Sequence, residues 1–261
     1  MHRVIILFTT FVLVSAVGSG IRVAEAAVEG IDTELVDAIR AVDEARVRAA
    51  LARSVDLTAT DPDGTTPLHW AVHENEPRIV KLLLDAGADP QASNRYGVRP
   101  IALACTNGNA AIVELLLEAG VDANTTLGEG ETALMTAART GAIDVVELLL
   151  DYGADVNAVE SWRGQTALMW AAAEGHSELI PTMLSHGANI TMRSIKGWTA
   201  LLFAVREGKI GVVQTLLEAG ANVEESLPVE ERKRRGGTSA ERAATGLNAF
   251  LLAVANAHYE L

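Results

Sequence analysis

The chain has 261 residues, of which 49% are hydrophobic and only 4% aromatic, so its apolar content is mostly Ala, Leu and Val. A formal charge of −13 repels phosphate backbones and excludes nucleic acid as an expected partner. The single cysteine, Cys105, excludes an intramolecular disulfide and reads as a small buried apolar residue.

At the N-terminus, His2 and Arg3 precede an uncharged, mostly apolar stretch from Val4 to Gly20, and Ala24-Glu25-Ala26 supplies small residues at a cleavage point. That order of charged end, apolar middle and A-x-A site predicts a secretory signal peptide over residues 1–26. The apolar part falls short of the roughly 20 residues of a spanning helix; an uncleaved membrane anchor is the alternative. The expectation is an exported protein, periplasmic or secreted, with no membrane insertion after cleavage. Removing these residues takes away Arg3, Arg22 and Glu25 and leaves 19 basic against 33 acidic side chains, or −14. Such a charge helps keep a long chain soluble.

From residue 27 onward the chain repeats itself. Thr66, Pro67, Leu68, His69, Trp70 and Ala71 return in worn form at Arg99–Ala104, Thr132–Ala137, Thr166–Ala171 and Thr199–Ala204, at spacings of 33, 33, 34 and 33. A second marker keeps step: Leu82–Asp89, Leu115–Asp122, Leu148–Asp155 and Leu216–Asn222. Residues 27–60 fit the same register, with Thr33, Ala38, Val47, Leu51 and Asp56 each 33 before a counterpart. Their outward face carries Glu34, Asp37, Arg40, Asp43, Glu44, Arg46 and Arg48, as a capping repeat that meets water on one side requires.

Within each period the residues predict two helices. Thr66 is placed to cap the first, and Pro67 sits in its first turn, where a missing N–H costs nothing. Leu68 and Ala71 share the face that turns into the stack. The helix stops at Asn75, Gly108, Gly141, Gly175 or Gly208, positions suited to positive φ. A second helix carrying Ile79, Val80, Leu82 and Leu83 ends at Gly87 and its equivalents. A turn-rich stretch then leads to Gly64, Gly97, Gly130, Gly164 or Gly197, two residues before the next Thr position. Regular repeats run over 61–223. An inserted polar loop follows at 224–245 and contains Arg232, Lys233, Arg234 and Arg235; an incomplete final repeat occupies 246–261. A stack ending there would expose the apolar side of its last helix, so the chain is expected to be a fragment or to be covered by a partner at that end.

A period of about 33 with a T-P-L-H-x-A signature resembles the ankyrin-repeat family over roughly residues 30–261. The resemblance implies an all-α repeat solenoid of stacked helix-turn-helix units with β-hairpin or loop fingers. It also implies that His69 bonds locally to the Thr66 region. The implied work is that of a non-enzymatic scaffold, a monomer that binds a protein partner through its concave face and fingers. The alternative is the targeting portion of a longer chain whose enzymatic or membrane domain lies beyond residue 261.

The finger tips supply the candidate contact residues: Arg95, Tyr96, Glu129, Trp162, Arg163, Lys196 and Trp198. Tyr, Trp and Arg are the types enriched at interface hot spots; the competing reading packs Trp162 and Trp198 on adjacent fingers. Trp70, Trp170 and Phe203 share one slot, which either lines the concave groove or fills the space between repeats. No catalytic residue, cofactor site or metal site is expected. His69 and His73 stand four apart without the Glu of a metalloprotease helix, and neither a G-x-S-x-G, a P-loop nor a Cys/His cluster occurs. The sequons at Asn124 and Asn189 fall on repeat turns where Asn is expected in any case.

Overall fold

The computed structural model describes residues 31–227 together with 248, 249 and 253. The signal-like segment, nearly all of the insertion with Arg232–Arg235, and most of 246–261 therefore lie outside the described residues. Six helix pairs make up the described part. The first helices of the pairs are α1 (Thr33–Arg40), α3 (Pro67–His73), α5 (Pro100–Asn107), α7 (Ala133–Thr140), α9 (Ala167–Glu174) and α11 (Ala200–Arg206). The second helices are α2 (Glu44–Leu51), α4 (Pro77–Asp85), α6 (Ala110–Glu118), α8 (Ile143–Asp151), α10 (Leu179–Ser185) and α12 (Ile210–Glu218).

Helices this short are marginal alone, so capping and packing must hold them. The Oγ of Thr66, Thr132, Thr166 and Thr199 accepts from the backbone N–H three residues on, in each case starting a first helix. In the first repeat the cap moves forward by one: Asp32, not Thr33, accepts from Leu35 N. The four glycines expected to stop first helices, Gly108, Gly141, Gly175 and Gly208, all adopt positive φ, as does Asn75. Gly141 shows why. A Cβ there would lie 2.5 Å from the ring of His176, whose Nε2 meets the Arg139 carbonyl at 3.2 Å.

Odd helices pack on odd and even on even, each layer meeting the one before and the one after. Ala71, Ala104, Ala137, Ala171 and Ala204 are fully buried, and these small residues let the first-helix row approach closely. The core is therefore a ribbon, with Leu68, Ile79, Leu83, Ile101, Ile112, Leu116, Leu134 and Leu149 as its large members. Burying each such side chain is worth about 1.5–3 kcal/mol. Polar bonds tie the layers at their edges. Asn107 Nδ2 donates to Val72 O at 2.9 Å and Asn109 Nδ2 to Asn75 Oδ1 at 2.9 Å. Asn124 donates to Gly153 O and accepts from Asp155 N, and Asn157 repeats this with Gly187 and Asn189. The Asn124 side chain is thus an inter-repeat strut, which explains an Asn there without glycosylation.

The connections between pairs are tight turns. Among the described residues the only antiparallel bridges are Thr126 with Thr132 and Ser226 with Asn248, so the fingers are loops rather than paired ladders. Too few residues flank each finger glycine to extend a hairpin. Ala249 and Ala253 are both buried.

Candidate functional site

Two surfaces are built by this arrangement, the first-helix row and the finger tips. On the row, Trp70 and Trp170 are half-buried, while Phe203 in the same slot is buried. The slot therefore serves both purposes: two indoles keep an open face and the phenyl ring fills the stack. Each aromatic carries an arginine. The Arg40 guanidinium lies 5.3 Å from the Trp70 ring, Arg139 lies 5.8 Å from Trp170, and Arg206 sits 4.9 Å from Trp198 and 5.0 Å from Phe203. Such stacking is worth about 0.5–1 kcal/mol at exposed sites. It also fixes the cations at intervals along the row. The Trp170 Nε1 atom is buried without a hydrogen-bond partner among the described residues.

Four of the five fingers share one local design. A polar residue at the start of the turn gathers the N–H groups that follow. Asp61 accepts from Asp63 and Thr65, Asn94 from Tyr96 and Val98, and Ser194 from Trp198. Glu160 does this for the longer fourth finger: its carboxylate, only 5% exposed, accepts from Trp162, Arg163 and Gln165 N–H. The residue that brings the spacing between Thr132 and Thr166 to 34 rather than 33 widens this turn, so that Gly164 bonds back to Glu160 across four residues rather than three.

The candidate contact residues divide by position. Tyr96 is 73% and Trp162 66% exposed, and Arg95, Glu129, Arg163 and Lys196 are exposed beside them. Trp162 is mostly open to solvent, and its own neighbour Arg163 lies over its ring at 4.0 Å. Trp198 is different. It follows its finger glycine instead of preceding it, so its ring turns back onto Phe203 at 5.5 Å and joins the first-helix row. Ile195, 71% exposed at the fifth finger, belongs with the tip residues and was absent from the sequence reading. An aliphatic one residue before a charged tip residue carries no signal of its own.

His69 is held as expected, and by more than its own repeat. Its Nδ1 accepts from Thr66 N–H at 3.2 Å and lies 2.8 Å from Thr66 Oγ, while Nε2 reaches the Val98 carbonyl of the next repeat at 3.1 Å. Both ring nitrogens are engaged, which leaves none for a metal. Burial is the largest influence on this imidazole and lowers its pKa. No group of three His, Cys, Asp or Glu that could hold a metal stands together among the described residues. Burial pushes the Cys105 thiol up to about 12, which keeps it from acting as a thiolate. No helix among the described residues is long and apolar enough to cross a membrane.

Comparison with known proteins agrees with this geometry. A family model described as ankyrin repeats in three copies matches residues 87–160 and again 157–226, and one described as ankyrin repeat matches 63–95. No curated protein matches the chain. Among solved structures, the crystal structure of the ankyrin repeat domain of Bcl-3, described as a unique member of the IkappaB protein family, is 31% identical. That match covers 76% of this chain and 91% of the other, with a TM-score of 0.68. With the period, the paired helices and the family models in register over most of its length, the chain belongs to the ankyrin-repeat family.

Proposed function

We propose that the protein is an exported, non-enzymatic scaffold that binds a protein partner through its first-helix row and its fingers. Ankyrin repeats are in general protein–protein interaction modules; the finer reading for this chain rests on one observation. Tyr96 and Trp162 stand 73% and 66% exposed on fingers whose turns are fixed by buried or half-buried acceptors. Large rigid side chains presented this way lose little entropy on binding. The test is affinity capture from the exported fraction, with the protein lacking residues 1–26 as bait. Trp162→Ala and Trp198→Ala should each reduce capture of the same partner; undiminished capture by both removes these aromatics from the interface. Export is supported by the order of residues in 1–26, and mass spectrometry of the protein recovered from its host should find an N-terminus at Ala27. An intact Met1 would count against cleavage.

A further inference from the structure

Consecutive fingers are tied by a recurring backbone bond. Arg95 N–H donates to Asp63 O at 2.9 Å, Ser161 N–H to Glu129 O at 2.8 Å, and Ile195 N–H to Arg163 O at 2.8 Å. One member of the series is missing. By position it would join Gly128 N–H to Tyr96 O, and neither group makes another hydrogen bond among the described residues. The finger glycines report the same gap independently. A Cβ on Gly64 would lie 3.2 Å from Arg95 N, one on Gly130 2.8 Å from Ser161 Oγ, and one on Gly164 3.2 Å from Ile195 N. A Cβ on Gly97 would meet nothing within 4 Å.

The cause is local. Where the other fingers begin with Asp61, Asn94, Glu160 or Ser194, the third begins with Leu127, which has no side-chain acceptor to gather its turn. The turn closes instead as a 3-10 element over Gly128–Gly130, with Glu129 at φ 63. Between the second and third fingers this leaves a cleft of about 350 Å3 lined by Tyr96, Val98, Ala102, Leu127, Glu129 and Glu131. At about 30 Å3 per water, that volume holds a long side chain with its hydration. Its lining mixes apolar side chains with polar groups, and its charged members, Glu129 and Glu131, are both carboxylates.

We propose that this cleft receives an extended segment of the partner protein carrying an arginine, a refinement that rests on the protein-binding reading above. The segment's backbone donates to the Tyr96 carbonyl and accepts from Gly128 N–H, completing the interrupted series by strand addition. The guanidinium meets the Glu129 and Glu131 carboxylates and stacks on the Tyr96 ring, which Arg does better than Lys because it is planar.

The test is an NMR titration of the 15N-labelled full chain with a blocked pentapeptide, alanine on either side of a central arginine. Counterparts carry glutamate at the centre, or N-methylarginine to remove the backbone donor. The Arg peptide should shift the Gly128 amide saturably. Glu129→Gln and Tyr96→Ala, both at exposed positions, should weaken binding by about two- to fivefold each, and the Glu and N-methyl peptides should bind more weakly still. An unmoved Gly128 amide, equal shifts with the Glu peptide, or undiminished binding by both variants would overturn the proposal. So would concentration-dependent shifts of the same amide without peptide, which assign the cleft to a second copy of the chain. Should captured partner still bind Glu129→Gln and Tyr96→Ala normally, the cleft assignment falls and the broader binding reading stands; capture of no partner at all counts against the latter.

Discussion

Ala137→Leu tests the stacking directly. Ala137 is fully buried in α7, which packs on α5 to one side and α9 to the other. Its carbonyl accepts from Gly141 N at 3.1 Å, Ala142 N at 3.3 Å and Thr140 Oγ at 3.0 Å, which fixes the end of the helix beside it. Three added carbons must then push one neighbouring layer away. Overpacking typically costs about 1–3 kcal/mol, and with neighbours on both sides the upper half of that range is expected. In an array of this size, each kcal/mol lowers Tm by about 2–4 °C, which places the loss at about 4–12 °C. Far-UV circular dichroism melts would measure it, with urea titration to check that the m-value is unchanged. The comparator is Glu129→Gln at an exposed finger tip, where surface substitutions stay within about 0.5 kcal/mol. If Ala137→Leu melts no lower than Glu129→Gln, the close approach of the first-helix row is wrong.

Three further outcomes are expected. The neutral His69 ring satisfies both Thr66 N–H and the Val98 carbonyl, and burial lowers its pKa from 6.5, so the unfolded chain takes the proton first. Stability should fall as pH drops below about 6.5, by at most about 1.4 kcal/mol per pH unit from this group. A urea series across pH 5–8 should show that slope flattened in His69→Gln, and an unchanged slope would refute the assignment. Glu160→Ala leaves the Trp162, Arg163 and Gln165 N–H groups without their acceptor. It should cost about 1–3 kcal/mol and speed amide exchange at those three residues; unchanged exchange would show that the turn needs no organiser. Gly130→Ala and Gly97→Ala share the left-handed penalty of about 1–2 kcal/mol, but only the first also meets Ser161. Gly130→Ala should therefore melt lower, and equal melting would deny the gap at the second finger.

The helices were legible because burial repeats. Leu68 and Ala71 recur at one period since every layer must present the same face to the next, and Thr66 recurs because each short helix needs a cap. The fingers were less legible, since their order lies in the backbone. Glu160 looks like one acid among many, yet aligned with Asp61, Asn94 and Ser194 it occupies the acceptor position of its turn. Trp162 and Trp198 read alike as tip aromatics, but they flank their glycines on opposite sides, and that reverses where the rings go. The bond from His69 to Val98 spans two repeats, and a single copy of the motif cannot reveal it.

Because each described layer leans on the one before it and the one after it, the described stack has no keystone. Pulled from its ends, such a molecule yields as a spring does, losing outermost coils first while the middle keeps its shape. Gene duplication can lengthen it in the same way, one coil at a time, without redesigning what is already there.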